Sequence, residues 1–346
     1  MEIEKDKVEI LSGVRFGKTL GSPIALMLGN LDWENWRDRM SHEGDGRRVK
    51  LLDTVRPGHA DLPGALKYDH RDVRNVLERA SARETAARVM AGATARRLLD
   101  VLGATVQGHV ISVGPCRVSS DVEGNPAAAG RAESSVLRMA DPDAEAEAVK
   151  WIDKMKEAGT TAGGVVEVIA TGLPPGLGSY VSWDKKLSAR IGHALMSINA
   201  IKGVEVGEGA SLAGSPGRDA LDEIFPGPSA ENLLLGNRSL PFHRKTNRAG
   251  GLEGGMTNGA PLVVRAAMKP IPTQSKPLRA VVLDSWESAS AHTERGDVCA
   301  VPAAAVVAEA MVAIVLADAF MEKFGGDAIE DMLYNYSHYL DRICAK

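Results

Sequence analysis

From Val298 to Phe320 the chain is apolar and rich in alanine, and Glu309 and Asp318 are the only charged residues in the run. A helix that is apolar on every side offers no face to water. It must therefore be wrapped by other elements or by lipid. Two carboxylates, a lysine at 323 and the Gly325-Gly326 stop read as a capped core helix over 302–324 rather than a membrane span. A chain of 346 residues is long enough to build the surrounding layers. A second helix, over 327–342, closes the chain and carries Tyr334, Tyr336 and Tyr339.

The layers around that helix read as mixed. Alternation at Val8 and Ile10, a turn at Gly17-Lys18 and the apolar run Ile24 to Leu28 predict an N-terminal hairpin. Trp33 and Trp36, three apart, read as packing residues, and Met40 to Lys50 as a loop. Strands are expected over 105–113, 163–171, 204–206, 261–268 and 278–283, and 115–131 reads as a loop. Helices are expected over 143–158, with Val149, Ile152 and Met155 inward, and over 184–198, with Leu187, Ile191, Leu195 and Ile198 inward. Residues 208–241 scatter Gly, Pro and Ser among charges and read as a loop insertion. Strands that neighbour one another, no strict βαβα order and no strand followed by GxGxxG predict one α+β domain over 1–346 and exclude a doubly wound nucleotide fold.

Charge is nearly balanced, at a formal −4, which points to neither nucleic acid nor a membrane surface as partner. Cys116, Cys299 and Cys344 stand alone, without metal-ligand spacing, and suit reduced thiols in a cytoplasm. MEIEKDKVEIL has none of the features of a signal peptide.

The chemistry is concentrated between Arg56 and Arg97. Arg56-Pro57-Gly58 turns the chain and presents His59. A helix is expected from about 69–72 to 102, with Val73, Val76, Leu77, Ala80, Ala87 and Met90 as its apolar stripe. It bears Arg71, Arg74, Arg79 and Arg83, with Ser81 between the last two. Arg79 and Arg83, four apart, should share a face. Repeated guanidinium suits a phosphate or carboxylate. The plainer reading is a solvated face with ion pairs to Asp72, Glu78 and Glu84.

RPGHADLPGALKY, RDVRNVLERASARETAARV, GGLEGGMTNG, KPIPT and ERGDVCAVPAAAVVAEA follow one another in the order seen in chorismate synthases. The resemblance runs from residue 1 to about 326 and is broken by the divergent 208–241 segment. It implies a β-α-β sandwich of mainly antiparallel sheets, assembled as a homotetramer. It also implies a 1,4-anti elimination that turns 5-enolpyruvylshikimate 3-phosphate into chorismate and phosphate. That reaction needs reduced FMN (FMNH2) without net redox. NADPH would act only indirectly, through a separate flavin reductase, since no part of the chain resembles an added reductase domain.

Residue by residue, the resemblance gives His59 a role as cation or proton donor beside substrate and the departing phosphate, and Asp297 a role as base toward the flavin. Arg79, Ala80 and Ser81, Asn199 and Ala200, Gly254, the run Lys269-Pro270-Ile271-Pro272-Thr273, and Arg295 match flavin-contacting positions; Arg83 matches a substrate arginine. Each has a plainer structural reading. These are a turn histidine for His59, an asparagine C-cap for Asn199, a flexible loop for Gly254, a proline-stiffened turn for 269–273 and a helix cap for Asp297. The chain has Gly296 where the family usually carries serine or another side chain. The family's patterns open with a Gly-Glu-Ser-His strand and an arginine-rich loop ahead of the residues matching MEIEKDKVEIL. The expectation is therefore a chain without that segment and its histidine. An inactive or truncated flavin- or phosphometabolite-binding paralogue of the same fold is the alternative reading.

Overall fold

The long apolar helix organises the computed structural model, which describes residues 6–46, 49–228, 233–294 and 296–345. The chain divides into two compact units, Met1–Met90 with Pro277–His292, and Ala91–Lys276 with Thr293–Lys346.

In the first unit β1 (Val8–Ser12) pairs antiparallel with β2 (Ala25–Leu28), so the N-terminal hairpin forms as expected. Helix α1 (Asp61–Tyr68) is an element the sequence reading did not foresee, because Pro63 and Gly64 lie inside it. Proline is tolerated in the first turn. Gly64 lets α1 lie against Val76 of α2 (Arg74–Arg79), where an added Cβ would come within 2.6 Å of a Val76 methyl. Val55, Ala65, Val73 and Leu283 form this unit's buried core. The single helix expected over 69–102 is three pieces: α2, a 3-10 turn at Ala82–Glu84, and α3 (Thr85–Val101). The break falls at Ser81, whose backbone is extended and whose side chain accepts from the Arg83 amide at 3.2 Å. Ala87, expected in the apolar stripe, is exposed.

The second unit is built on a five-stranded sheet. Its strands are β3 (Thr105–Val113), β4 (Cys116–Arg117), β5 (Gly164–Thr171), β6 (Ile201–Val206) and β7 (Leu262–Met268), in spatial order β4-β3-β5-β7-β6. Every strand pairing in it is antiparallel. The fold is thus α+β, as the order of elements predicts. Helix α4 (Pro126–Arg131), inside a stretch read as loop, is capped by Asn125 and packs Ala129 against Ile169 and Val263 on one sheet face. In α5 (Pro142–Ala158) the buried residues are Ala144 and Ala148, while Val149 is exposed. Ile152 and Met155 are half-buried on the same face, as expected, so of the three residues read as inward only Val149 falls outside it. Helix α6 (Leu187–Met196) buries Leu187, Ile191 and Leu195 as expected.

Helix α7 (Val301–Phe324) packs against β3, β5, β7 and α6, and 67% of its most apolar window is buried. The sequence makes room for it twice. A Cβ on Gly108 would lie 2.4 Å from the Ala305 carbonyl oxygen, and one on Gly92 of α3 would lie 2.4 Å from the Ala310 Cβ. Glu309 is buried in this seam because it is satisfied there. It accepts from the Gly108 amide at 2.7 Å and pairs with Arg96 and Arg138. Asp318, near the other end, is mostly exposed and pairs with Arg190. Helix α8 (Ile329–Cys344) docks Tyr336 edge-on against Phe320 and beside Phe324.

Residues 208–241 are less irregular than their composition suggests. Ile224–Pro226 pairs with Phe242–Arg244, and the Asp222 carboxylate accepts from Thr246 Oγ1 and from the Arg248 and Ala249 amides at 2.5–2.9 Å. Asp222 thereby fastens this segment to the approach of the glycine-rich hairpin.

Candidate active site

In the first unit the turn after Arg56 ends in a tight constellation. Asp61, in the first turn of α1, is fully buried. It accepts from the Arg56 amide at 3.0 Å, Arg56 Nε at 2.8 Å and Arg56 Nη2 at 3.2 Å. His59 Nδ1 lies 2.5 Å from Asp61 Oδ1. Burial alone would raise the Asp61 carboxyl. The hydrogen bonds from His59 and Arg56 and their charges outweigh it and hold that carboxyl well below the usual range. His59 is therefore more than a turn histidine bonded to nearby backbone: its ring is fixed by an ionised carboxylate and stays partly open to solvent.

The arginines beyond it divide by role. Arg74 is structural, donating to the Lys50 carbonyl at 2.6 Å and to Asp72 at 3.2 Å. Arg71 is exposed beside Asp284. Arg79 ends α2, exposed, and Arg83 lies beyond the Ser81 break, so the two do not share a helix face as the spacing predicts. Arg83 places both Nη atoms on the carboxylate of Asp6, each at 2.6 Å. That bidentate fork is the geometry an anionic ligand would use. Ala80 is the C-cap of α2, and Ser81 caps the following turn.

In the second unit several of the sequence-derived candidates converge. Asn199 and Ala200 follow α6, and Ala200 takes a left-handed conformation (φ 66°), so Asn199 is not itself a left-handed cap. The Ala200 carbonyl accepts from the Lys269 amide at 3.0 Å, which joins 199–200 to the 269–273 run. Thr161 Oγ1 donates to the Ile271 carbonyl at 2.7 Å, and the Ala162 amide donates to the Val298 carbonyl at 2.8 Å. Residues 161–162 thus tie 269–273 to the segment that carries Asp297. Gly296 closes the junction, since a Cβ there would come within 3.0 Å of Thr273 Cγ2. Asp297 is exposed and caps nothing, because the N-cap of α7 is Ala300. Burial pushes the nearby Cys299 thiol up, and the Asp297 charge adds to this against a lowering hydrogen bond from Val301. Arg295 lies outside the described residues.

Lys269 is partly desolvated. Burial first, then the charge of Lys202 on β6, pushes its ammonium below the ordinary lysine range. Two cations that repel each other in a part-buried site are relieved by an incoming anion. Lys202 was not among the candidates read from the sequence. It became one through the antiparallel pairing that sets β6 beside β7, which no local pattern announces. Arg56 and Asp61 were also missed, although the RPGHAD motif contains both.

Gly254 forms the tip of a short hairpin at φ 60°, with open space where a side chain would stand. The adjacent Gly255 carbonyl accepts from the Leu187 amide at 2.7 Å, at the start of α6. Asn199 lies beyond the other end of that 10-residue helix, roughly 15 Å away along its axis. The structure therefore sets Gly254 apart from the junction of 199–200 with 269–273.

The sequence model of the family described as chorismate synthase matches residues 1–321. A chorismate synthase of Geobacter metallireducens is 54% identical over 342 residues, covering 99% of this chain and 86% of that protein. One from Symbiobacterium thermophilum is 52% identical over 356 residues, covering 100% of this chain and 88% of that protein. A solved structure titled as a chorismate synthase superimposes with a TM-score of 0.78 at 42% identity, covering 99% of this chain and 86% of that one.

Proposed function

The chain belongs to the chorismate synthase family, and from that premise we propose how its residues serve the family's reaction. The reaction is a lyase step of aromatic amino acid biosynthesis. Phosphate leaves C3 and a proton leaves C6 of 5-enolpyruvylshikimate 3-phosphate, giving chorismate with the help of a flavin. The site must hold carboxylates and phosphates and stabilise charge as it develops on the leaving group, which preorganised donors do best.

Reduced FMN, when bound, would offer an electron-rich ring to this elimination and would emerge from it still reduced. The fit rests on one observation above the others: the Lys269 amide bonds the Ala200 carbonyl and Thr161 bonds the Ile271 carbonyl, which join a part-buried Lys269 and the 270–273 turn to residues 199–200. A flavin phosphate there would meet two cations and a turn stiffened by two prolines. Asp297 offers a carboxylate not used by the helix beside it, able to accept a proton at an Oδ atom. Gly254 offers open backbone. Arg83 exchanges the Asp6 carboxylate for an anionic group of the substrate. His59 gives up a proton at Nε2 as phosphate departs, and Arg79, Ala80 and Ser81 line the flavin. In this reading the working form is a cytoplasmic homotetramer. Its FMNH2 comes from a separate flavin reductase that draws on NADPH.

The test is anaerobic turnover. The chain is given photoreduced FMN and 5-enolpyruvylshikimate 3-phosphate, and chorismate is followed. His59→Ala should lower kcat at least a hundredfold with flavin affinity changed less than threefold, the usual scale for loss of a general acid. Asp297→Asn should keep flavin binding and slow turnover. Equal loss of turnover and flavin binding in His59→Ala would reduce His59 to a structural residue, and an unchanged rate in Asp297→Asn would discard that assignment.

A further inference from the structure

The constellation around His59 contains more than the histidine requires in order to fold. Asp61 stands in the first turn of α1, where an acidic side chain commonly caps the helix. Here the N-cap is Ala60 and no side chain caps it. The Asp61 carboxylate turns instead to Arg56 and His59 and is fully buried. A buried carboxylate is stable only when its lone pairs are satisfied, and Arg56 supplies three donors to it. Arg56 is itself almost fully buried. Arg56 and Asp61 thus neutralise one another, and the carboxylate stays an acceptor.

That fixes the proton on His59. A carboxylate oxygen 2.5 Å from Nδ1 can only accept, so Nδ1 carries its hydrogen and points it at Asp61. Arg56 Nη2 lies 3.0 Å from Nδ1 and 3.4 Å from Nε2, within hydrogen-bond reach of both nitrogens. It is a donor and takes no proton from either. The carboxylate acceptor lies at the Nδ1 edge, so Nε2, beside the Arg56 donor, is the atom left to gain and lose a proton. We propose that Asp61 is a positioning residue for the elimination. It locks His59 in the Nδ1–H state so that Nε2 alone serves the leaving phosphate, while Arg56 holds Asp61 in place.

This rests on the role given to His59 above. In the step, the C3–O bond breaks and its electron pair stays on the phosphate oxygen. That oxygen takes the proton from Nε2, and the imidazole left behind is the neutral Nδ1–H form that Asp61 already binds. The proton released from C6 leaves separately, and His59 regains its own from water. Without the carboxylate the neutral ring can settle with hydrogen on Nε2 and the lone pair on Nδ1, or turn away from the site. Either places the wrong edge toward substrate.

The test uses the full chain labelled with 15N-histidine. Two-bond 15N–1H correlation spectra, with the His59 signal identified by its loss in His59→Ala, should show neutral His59 with hydrogen on Nδ1. Asp61→Asn should move that hydrogen to Nε2 or mix the two forms. It should lower kcat at least a hundredfold while KM and the flavin dissociation constant stay within threefold. Introduced into His59→Ala, Asp61→Asn should lower kcat no more than threefold further, since Asp61 acts through a ring that is gone. Hydrogen on Nε2 in the unaltered protein would overturn the proposal even if Asp61→Asn does not fold. So would a full additive loss in the double variant. If His59→Ala keeps its turnover, the role of His59 falls; the tautomer spectra still judge whether Asp61 fixes the ring.

Discussion

Substituting Gly92 by alanine sets two rules against each other. Alanine is the better helix former by about 1 kcal/mol, so α3 alone would gain. But the new methyl would stand 2.4 Å from the Ala310 Cβ and 2.6 Å from its Cα. Carbon atoms prefer about 3.5–4.0 Å, so α3 and α7 would have to part by more than 1 Å. Neither atom can rotate aside, because one is backbone and the other is fixed to it. Overpacking of this kind costs about 1–3 kcal/mol. The upper part of that range applies, since Glu309 lies in the same seam and holds the Gly108 amide at 2.7 Å. Packing therefore wins, with a net loss of about 1–2 kcal/mol, or roughly 2–8 °C in melting temperature for a body of this size. Ala93→Gly, on the exposed side of the same turn, isolates the propensity term and should cost about 1 kcal/mol. Thermal melts of both variants by circular dichroism decide the matter. If Gly92→Ala melts at or above the parent while Ala93→Gly melts below it, the close approach of α3 to α7 is wrong.

Three further outcomes are expected. The Asp61 and Glu167 carboxyls are both held below the usual range. The unfolded chain therefore binds more protons, and the stability they contribute is present above the ordinary carboxylate pKa, about 4, and lost as pH falls below it. Melting temperature should drop below about pH 4, and less steeply in Asp61→Asn than in the parent. Glu167→Ala, which strips a buried acceptor from His109, the Gly124 amide and Arg265, should cost about 3–5 kcal/mol in urea unfolding. If Lys202 answers the flavin phosphate as proposed, Lys202→Ala should weaken FMN several-fold but leave riboflavin affinity unchanged within twofold by fluorescence titration.

What the sequence made legible depended on whether its signal was local. Helix α7 was readable because apolarity on every side admits few settings, and β3, β5 and β7 because their apolar runs end in glycine or proline. Helix α1 was not, since Pro63 and Gly64 argue against a helix until Val76 is seen to fill the space Gly64 leaves. The continuous helix expected through Ser81 failed for the converse reason. Propensity favours continuation there, but the serine side chain satisfies the Arg83 amide and Asp6 takes the Arg83 fork, and neither depends on helical period. Glu309 looked like an interruption of the apolar run. It is instead the acceptor that lets β3 approach with its Gly108 amide satisfied.

The same distinction separates the site residues that could be read from those that could not. His59, Lys269 and Asp297 are visible as chemistry-bearing residues in motifs. Asp61, Arg56 and Lys202 act on them through space, and their role follows only from geometry. A buried carboxylate 2.5 Å from an imidazole nitrogen determines which edge of that ring can work. A second lysine across a strand pair adds to what burial does in pushing the Lys269 ammonium below its ordinary range. On the proposed reading, the motif residue meets substrate or flavin in each case, and a residue that the motif does not single out sets its state. A substitution at Asp61 or Lys202 should therefore be read by the condition of its partner, tautomer or charge, before it is read by rate.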